Sequence, residues 1–527
     1  MKKEFLFLLL FFLSISPALR AQESVVDPTS KDPVYIIHSD NFYFRRVGQT
    51  DLKILSGNVR LRQGTALFYC DSCVLNNEAQ IFESFGNVHI NDHDTTNIWS
   101  DYMRYLTNTK IAYFNGHVRM TDGHATLTTT DLTYDVNTKI GTYTNNGRVV
   151  NKKSVLTSKE GVYYSDLRDI YFKGNVVLND PAYNLKADSL LYNTESQVTR
   201  FISETFIKDS SGRTVQTREG YYDLAHRHAE FYSRSTIVDK AMTASADQMA
   251  SDDSTKIIQM RGRAVMKDTA KGTNVLADEI FIDQKTDAFL ATKKPLMIIK
   301  QENDSIYVAA DTLFSARLTE LYKNDSARLS KFHFKKENDS TNRYFEAYRN
   351  VRVFSDSVQS VGDSLYYSFV DSTFRLYDNP VVWSKKSQIT GDTIYLFTKN
   401  KKASRIQTFE NSFMVNEVEG GVYNQIKSSR MDGFFKNGTL DSVRAKGLAE
   451  SIYFIQDEDS AYKGTNQTKS DAIDIYFEKG DLYKVIFRSD LKGTLIPITQ
   501  KSPAELRLPG FQWLINRRPK TKYELFE

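Results

Sequence analysis

One short string recurs along this chain, and it limits the possible folds more than any other feature. "SGNVRLR" at Ser56 returns as "FGNVHIN" at Phe85, "NGHVRMT" at Asn115, "NGRVVNK" at Asn146, "KGNVVLN" at Lys173 and "RGRAVMK" at Arg261. By subtraction, Gly57, Gly86, Gly116, Gly147 and Gly174 are 29, 30, 31 and 27 residues apart, a repeat of about 30 residues. A second signature follows each time: "SDYMRYL" at Ser100, "ADSLLYN" at Ala187, "ADEIFID" at Ala277, "ADTLFS" at Ala310, "GDSLYYS" at Gly362, "GDTIYLF" at Gly391 and "SDAIDIYF" at Ser470. Looser copies of the first string continue as "RNVRVFS" at Arg349, "NPVVWSK" at Asn379, "NSFMVNE" at Asn411 and "KGLAESIYF" at Lys446.

Side chains alternate between the faces of a strand, so the string sorts its own residues. Val59 with Leu61, Val88 with Ile90, Val118 with Met120 and Val176 with Leu178 face one way; Arg60, His89, Arg119 and Val177 face the other. Glycine before the strand suits a bend with positive φ, and Asn or Asp supports the turn. The spacing predicts units of three short strands, and one such unit buries its apolar face only by stacking on its neighbours. The expected fold is therefore all-β: an elongated, solenoid-like repeat. Composition agrees, with 30 Tyr, 33 Phe and only 10 Pro in 527 residues.

The segment from Cys70 to His93 also satisfies a zinc-finger spacing, with Cys70 and Cys73 ahead of His89 and His93. His89, however, holds the outward position that Arg60 and Arg119 hold in sister units, and the segment reads as strand and turn rather than helix. No metal is expected. In an oxidising compartment Cys70 and Cys73 are a possible disulfide, although their spacing on a regular strand points them to opposite faces and the bond requires a turn or bulge. No metalloprotease, nucleophile-elbow or phosphate-loop motif occurs, and the chain is not read as an enzyme or as needing a cofactor. His226 and His228 are expected on one strand face. Asp101, Asp188, Asp278, Asp311, Asp363, Asp392 and Asp471 are expected to stabilise turns at strand entrances.

Met1 to Ala21 reads as a secretory signal, with lysines before a short apolar run and a small residue at Ala21. The reading divides the chain into a signal peptide (1–21), a linker (22–33), a first array (34–315), a polar insertion (316–343), a second array (344–500) and a tail (501–527), in which Phe511 and Trp513 are expected to cap the last layer. A net charge of +4 argues against a nucleic-acid partner.

Repeated "GNV-x-L" followed by "AD-x-L-x-Y", behind a signal peptide, resembles the OstA/LptA family of lipopolysaccharide-transport proteins, from about Val34 to Ile498. The resemblance implies a β-jellyroll open along one side, with lipid A acyl chains in an apolar groove and sugars outside. It also implies a periplasmic location, possibly at the outer membrane, and end-to-end strand pairing with other jellyroll components of the transport bridge. Val59, Leu61, Val88, Ile90, Val118, Met120, Val176 and Leu178 are then the candidate groove lining. This chain is longer than the compact periplasmic member and lacks room for the barrel of the larger translocon member, and so resembles a long, barrel-free OstA-like protein. Two other classes stay open: a structural β-repeat scaffold without lipid cargo, and a β-solenoid enzyme acting on polysaccharide.

Overall fold

The computed structural model describes residues 32–526 apart from 94, 301–304, 333, 335–338, 340, 401, 419–420, 458–460, 498 and 503–504. The signal-segment expectation lies outside the described residues. Contacts divide the chain into two compact units: one up to Val118 with Thr133–Thr138, the other Arg119–Leu132 with Lys139–Glu527.

Nearly every described element is a strand, and the strands pair antiparallel with the next strand or with one two or three further along. In unit 1, Thr50–Gln63 pairs with Ala66–Asn76, which pairs with Ile81–Asp92, which pairs with Thr96–Leu106. In unit 1 the repeat is thus two long strands rather than three short ones, with the recurrent glycine in mid-strand; in unit 2 some strands break at the bend into two short ones, and Gly147 opens Gly147–Asn151. Leu55 stands opposite Cys73 and Ser56 opposite Ser72, but the register then skips to Val59 opposite Cys70. Gly57 and Asn58 form the bulge, with φ of 79° and 46°, and Gly86 with Asn87 repeats it at 72° and 44°. Two successive left-handed residues are tolerated where the first is glycine and the second is small and polar.

The bend explains the repeated aspartates. Asn58 Nδ2 donates to Asp40 at 3.0 Å, Asn87 Nδ2 donates to Asp71 at 2.9 Å, and His117 Nδ1 lies 2.7 Å from Asp101. Unit 2 repeats the device, with Arg263 on Asp247, Asn350 on Asp311 and Asn411 on Asp392. Asp311 and Asp392 stand directly before strands, as expected, but for the other five the expectation of a strand entrance is corrected here. Asp101, Asp188, Asp278, Asp363 and Asp471 lie within strands, and each of the series sits at a bend.

Folded at its bend, each strand contributes one half to each of two facing layers. Phe68 from one layer meets Phe82 and Tyr105 from the other, with ring centroids 5.2 and 4.8 Å apart. Inward aromatic and aliphatic side chains fill the space between, and each fully buried one contributes roughly 1.5–3 kcal/mol.

In unit 2 the residues after Ala316 leave the array, form one-turn helices at Leu318–Leu321 and Ser326–Leu329, and return at Tyr344. Leu318 and Phe334 pack with Phe314, Tyr344 and Tyr366. The C-terminal tail differs from expectation more sharply. Phe511 and Trp513 do not cap the last strand; they pack on Tyr423, in mid-array. The tail runs across the outer face of successive strands, with Leu506 and Leu508 on Phe413, Val415 and Ile452, Leu514 on Val381 and Trp383, and Leu525 on Leu296 and Phe354. Glutamine side chains stand in for a backbone partner. Gln425 Nε2 donates to Leu506 O at 3.0 Å while its Oε1 accepts from Leu508 N at 2.8 Å, and Gln388 treats Gln512 O and Leu514 N likewise. That cover is why outward positions there are Trp383, Phe413 and Val415, where unit 1 has Arg60 and Arg62.

Candidate functional site

The interior between the layers is the candidate site. Val59, Leu61, Val88, Ile90 and Val118 point into that of unit 1, and Met120, Val176 and Leu178 into that of unit 2; all are no more than 1% exposed. Their neighbours Arg60 and Arg119 are exposed. His89, on the outside, stacks between Tyr69 and Trp99 at 5.3 and 4.8 Å, with Nε2 2.9 Å from Asn97 Oδ1. His93 turns to Asp92, 2.6 Å away.

Cys70 and Cys73 both point inward, because the bend between them reverses the alternation that a regular strand would impose. They are buried free thiols in mutual contact, and that contact with burial pushes the Cys73 thiol up. The two sulfurs thus lie inside and His89 outside, so the four finger-like residues do not converge. Among the described residues, no group of three or more His, Cys, Asp or Glu is placed to hold a metal ion. His226 and His228 do not share a strand: His226 lies in a turn against Asp223, and His228 begins the next strand against Glu230.

Opposite the bends, where the layers would be open, tyrosines close the interior of each unit. Tyr105, Tyr134, Tyr163, Tyr192 and Tyr222 are 29 or 30 residues apart by subtraction, the repeat period itself. In unit 1 Tyr105 OH donates to Gln63 Oε1 at 2.7 Å and Tyr134 OH to Asp92 Oδ2 at 2.9 Å. Gln63 also donates to Thr107 O at 2.9 Å, tying a turn of one layer to a turn of the other. In unit 2 Thr194 Oγ1 donates to Asp122 at 2.8 Å, Asn151 Nδ2 to Thr194 O at 2.6 Å, and Arg213 to Asp253 at 3.0 Å. The buried hydroxyl of Tyr163 meets Asp122 and Thr194, and that of Tyr192 meets Gln197, Ser154 and Asn151. Burial raises every tyrosine of the row that shifts: Tyr192 and Tyr222 to about 12, Tyr105 and Tyr163 further. These four stay neutral at physiological pH. Burial works against Asp122, but donors including Ala125 N, Tyr163 and Thr194 hold its carboxyl below the usual range. Sequence reasoning saw the tyrosine within "AD-x-L-x-Y" but not its partner, which lies 42 residues away for Tyr105 and Tyr134.

Unit 2 also holds an apolar cavity of about 180 Å³, lined by Val353, Leu365, Phe374, Leu376 and Leu396, with Lys402 at its rim. A groove of about 820 Å³ lies between the tail and a row of bends and is polar, with Asp363, Asp392, Asn411, Gln512 and Arg517 among its walls.

Bent antiparallel strands folded over an apolar interior place the chain in the class of repeat β-jellyroll proteins. Residues 31–188 match the family described as "OstA-like protein", and residues 163–288 match "LptA/(LptD N-terminal domain) LPS transport protein". Over residues 31–288 the chain is thus similar to OstA/LptA-like lipopolysaccharide-transport proteins. Among solved structures, LptH of Pseudomonas aeruginosa, the LptA-homologous periplasmic component of its lipopolysaccharide transport device, is 15% identical, over 20% of this chain and 79% of that chain, with a TM-score of 0.19. No curated protein matches the chain. Among the described residues, no helix is long and apolar enough to cross a membrane, which says nothing of β-barrel strands.

Proposed function

We propose that this protein shields the acyl chains of lipopolysaccharide between its two layers during passage through the periplasm to the outer membrane. The observation that carries the reading is the inward row from Val59 to Leu178, apolar and buried at its repeated positions, inside a segment that matches two lipopolysaccharide-transport families. Exposing an acyl chain to water costs about 0.8 kcal/mol per CH2, so each chain of a dozen carbons requires on the order of 10 kcal/mol of shielding.

Exposed edges suit other jellyroll components of a bridge. Among the described residues, Asn41–Val47 pairs only with Thr50–Gln63, and it exposes Phe42 and Phe44, beside Ile36 of Tyr35–His38. In unit 2, Lys492–Pro497 exposes Leu495. An unpaired edge of this kind is a template for strand addition. Cys70 and Cys73 are also proposed to oxidise to a disulfide after export, read as a mass lower by two hydrogens in unreduced protein.

A photo-crosslinking residue at Ile90 or Met120 is expected to capture lipopolysaccharide in cells, while the same probe at Arg60 or Arg119 captures little. The filled interior favours one competing reading, a scaffold with a dry core. Absence of capture at every inward position of a folded protein would establish that reading instead.

A further inference from the structure

One bend of unit 2 departs from the pattern of its neighbours. On either side of it a carboxylate is held by the bulge residue of an adjoining strand, Asp311 by Asn350 and Asp392 by Asn411. Between them the bulge at Asp378 and Asn379, with φ of 58° and 56°, lies opposite Asp363. Asp363 N meets Asp378 O at 3.3 Å. Among the described residues, however, the side chains of Asp363, Asp378 and Asn379 make no hydrogen bond or ion pair. All three are exposed and line the polar groove of about 820 Å³ beside the tail. From the facing wall the tail adds Gln512 and Arg517, whose side chains are equally free.

Shape and chemistry narrow what such a groove accepts. Its floor follows six successive bends, near Asn350, Gly362, Asn379, Gly391, Asn411 and Lys427, so at about 4.8 Å per strand it is roughly 24 Å long and suits a chain rather than a compact molecule. Asp363, Asp378 and Asp392 are balanced by Arg352, Lys427 and Arg517, and no net charge selects an ion. The apolar positions alongside are already taken by the tail, with Leu508 against Phe413 and Leu514 against Val381, which leaves no pocket for the side chains of a peptide. The free groups are planar: two carboxylates that accept, two amides that donate and accept, and a guanidinium that donates. Neighbouring hydroxyls on a sugar ring both donate and accept, and they match such forks in pairs.

We propose that this groove binds a neutral oligosaccharide chain, laid along the bends between Asp363, Asp378 and Asn379 on one wall and Gln512 and Arg517 on the other. The site lies outside the interior and does not depend on the lipid-shielding reading. Balanced walls favour an uncharged glycan over the phosphate-bearing saccharide of lipopolysaccharide. The full chain is titrated separately with N-acetylglucosamine pentamer, maltopentaose and deacylated lipopolysaccharide, followed by ligand-observed NMR and by hydrogen–deuterium exchange. At least one neutral oligomer is expected to bind and to slow exchange at 361–363, 378–392 and 509–517, with 81–106 unchanged. Asp363→Ala with Asp378→Ala, and separately Gln512→Ala, are expected to weaken that binding roughly 5-fold or more at unchanged melting temperature, while Asp71→Ala at a bend of unit 1 has no effect. No binding of either neutral oligomer, or binding that both variants leave intact, overturns the site. Tighter binding of deacylated lipopolysaccharide than of the neutral oligomers overturns the neutral class and gives the groove to an anionic saccharide. Protection of the same segments by an extended leucine-rich peptide, and by neither neutral oligomer, overturns the proposal in favour of a peptide site.

Discussion

Replacing Gly86 with alanine is expected to destabilise unit 1 by about 2–3 kcal/mol, and the structure divides that cost into two separable parts. With φ at +72°, Gly86 occupies the left-handed region, where a Cβ costs roughly 1–2 kcal/mol. A Cβ there would also stand 2.4 Å from Asp71 Oδ2 and 3.1 Å from Asp71 Cβ. Asp71 must swing away and give up the 2.9 Å bond from Asn87, a loss of about 1 kcal/mol for an exposed pair. Gly48 supplies the control, because at φ +64° it has nothing within 4 Å of an added Cβ. Gly48→Ala is therefore expected to show the backbone cost alone, about 1 kcal/mol. Hydrogen–deuterium exchange of peptides spanning 81–106, read against urea, reports the local stability. In an Asp71→Ala background the cost of Gly86→Ala should fall toward that of Gly48→Ala, since the 2.4 Å clash with Asp71 Oδ2 is gone and only the 3.1 Å approach to Cβ remains. Equal costs at Gly86 and Gly48 in the parent, or a Gly86 cost unmoved by Asp71→Ala, would refute the account of the bend.

Leu178→Ala removes a side chain that is 0% exposed and is expected to cost about 2–4 kcal/mol in a chemical melt; a loss below about 1 kcal/mol would mean that the interior collapses freely around it. Deleting the tail from Leu506 onward uncovers Trp383, Phe413 and Val415, and is expected to yield a protein that binds an apolar dye and exchanges rapidly at 381–384 and 412–416, with exchange at 81–106 unchanged. Asp474 is held below its ordinary pKa chiefly by the hydrogen bond from Arg444, with Arg488 adding a second and burial opposing both. Because its folded pKa is depressed, it contributes stability above about pH 4 that is lost as pH falls through the folded value. Asp474→Asn should accordingly flatten the acid limb of the melting temperature while leaving a lower plateau at pH 7.

Much of this protein is written locally. The thirty-residue period, the bend at each glycine and the inward set Val59, Leu61, Val88 and Ile90 need only short-range information, since bulge sterics and strand alternation act within a few residues. The same local rules misplace anything that depends on where the bend falls. Cys70 and Cys73 were expected on opposite faces, and Asp101 at a strand entrance, because alternation was counted through a corner that interrupts it. Partners distant in sequence were not legible at all. The tyrosine row recurs with the repeat, yet which groups it meets follows from the layers closing on each other. Phe413, Val415 and Trp383 look like exposed apolar residues on an outward face until a tail about a hundred residues downstream lies over them. The sequence by itself determined the strands, their bends and which face of each is apolar, because steric and hydrophobic periodicities are properties of neighbouring residues. Only the tertiary structure decided what closes the open margin and what covers the second apolar face, because those contacts form only after the layers have folded over.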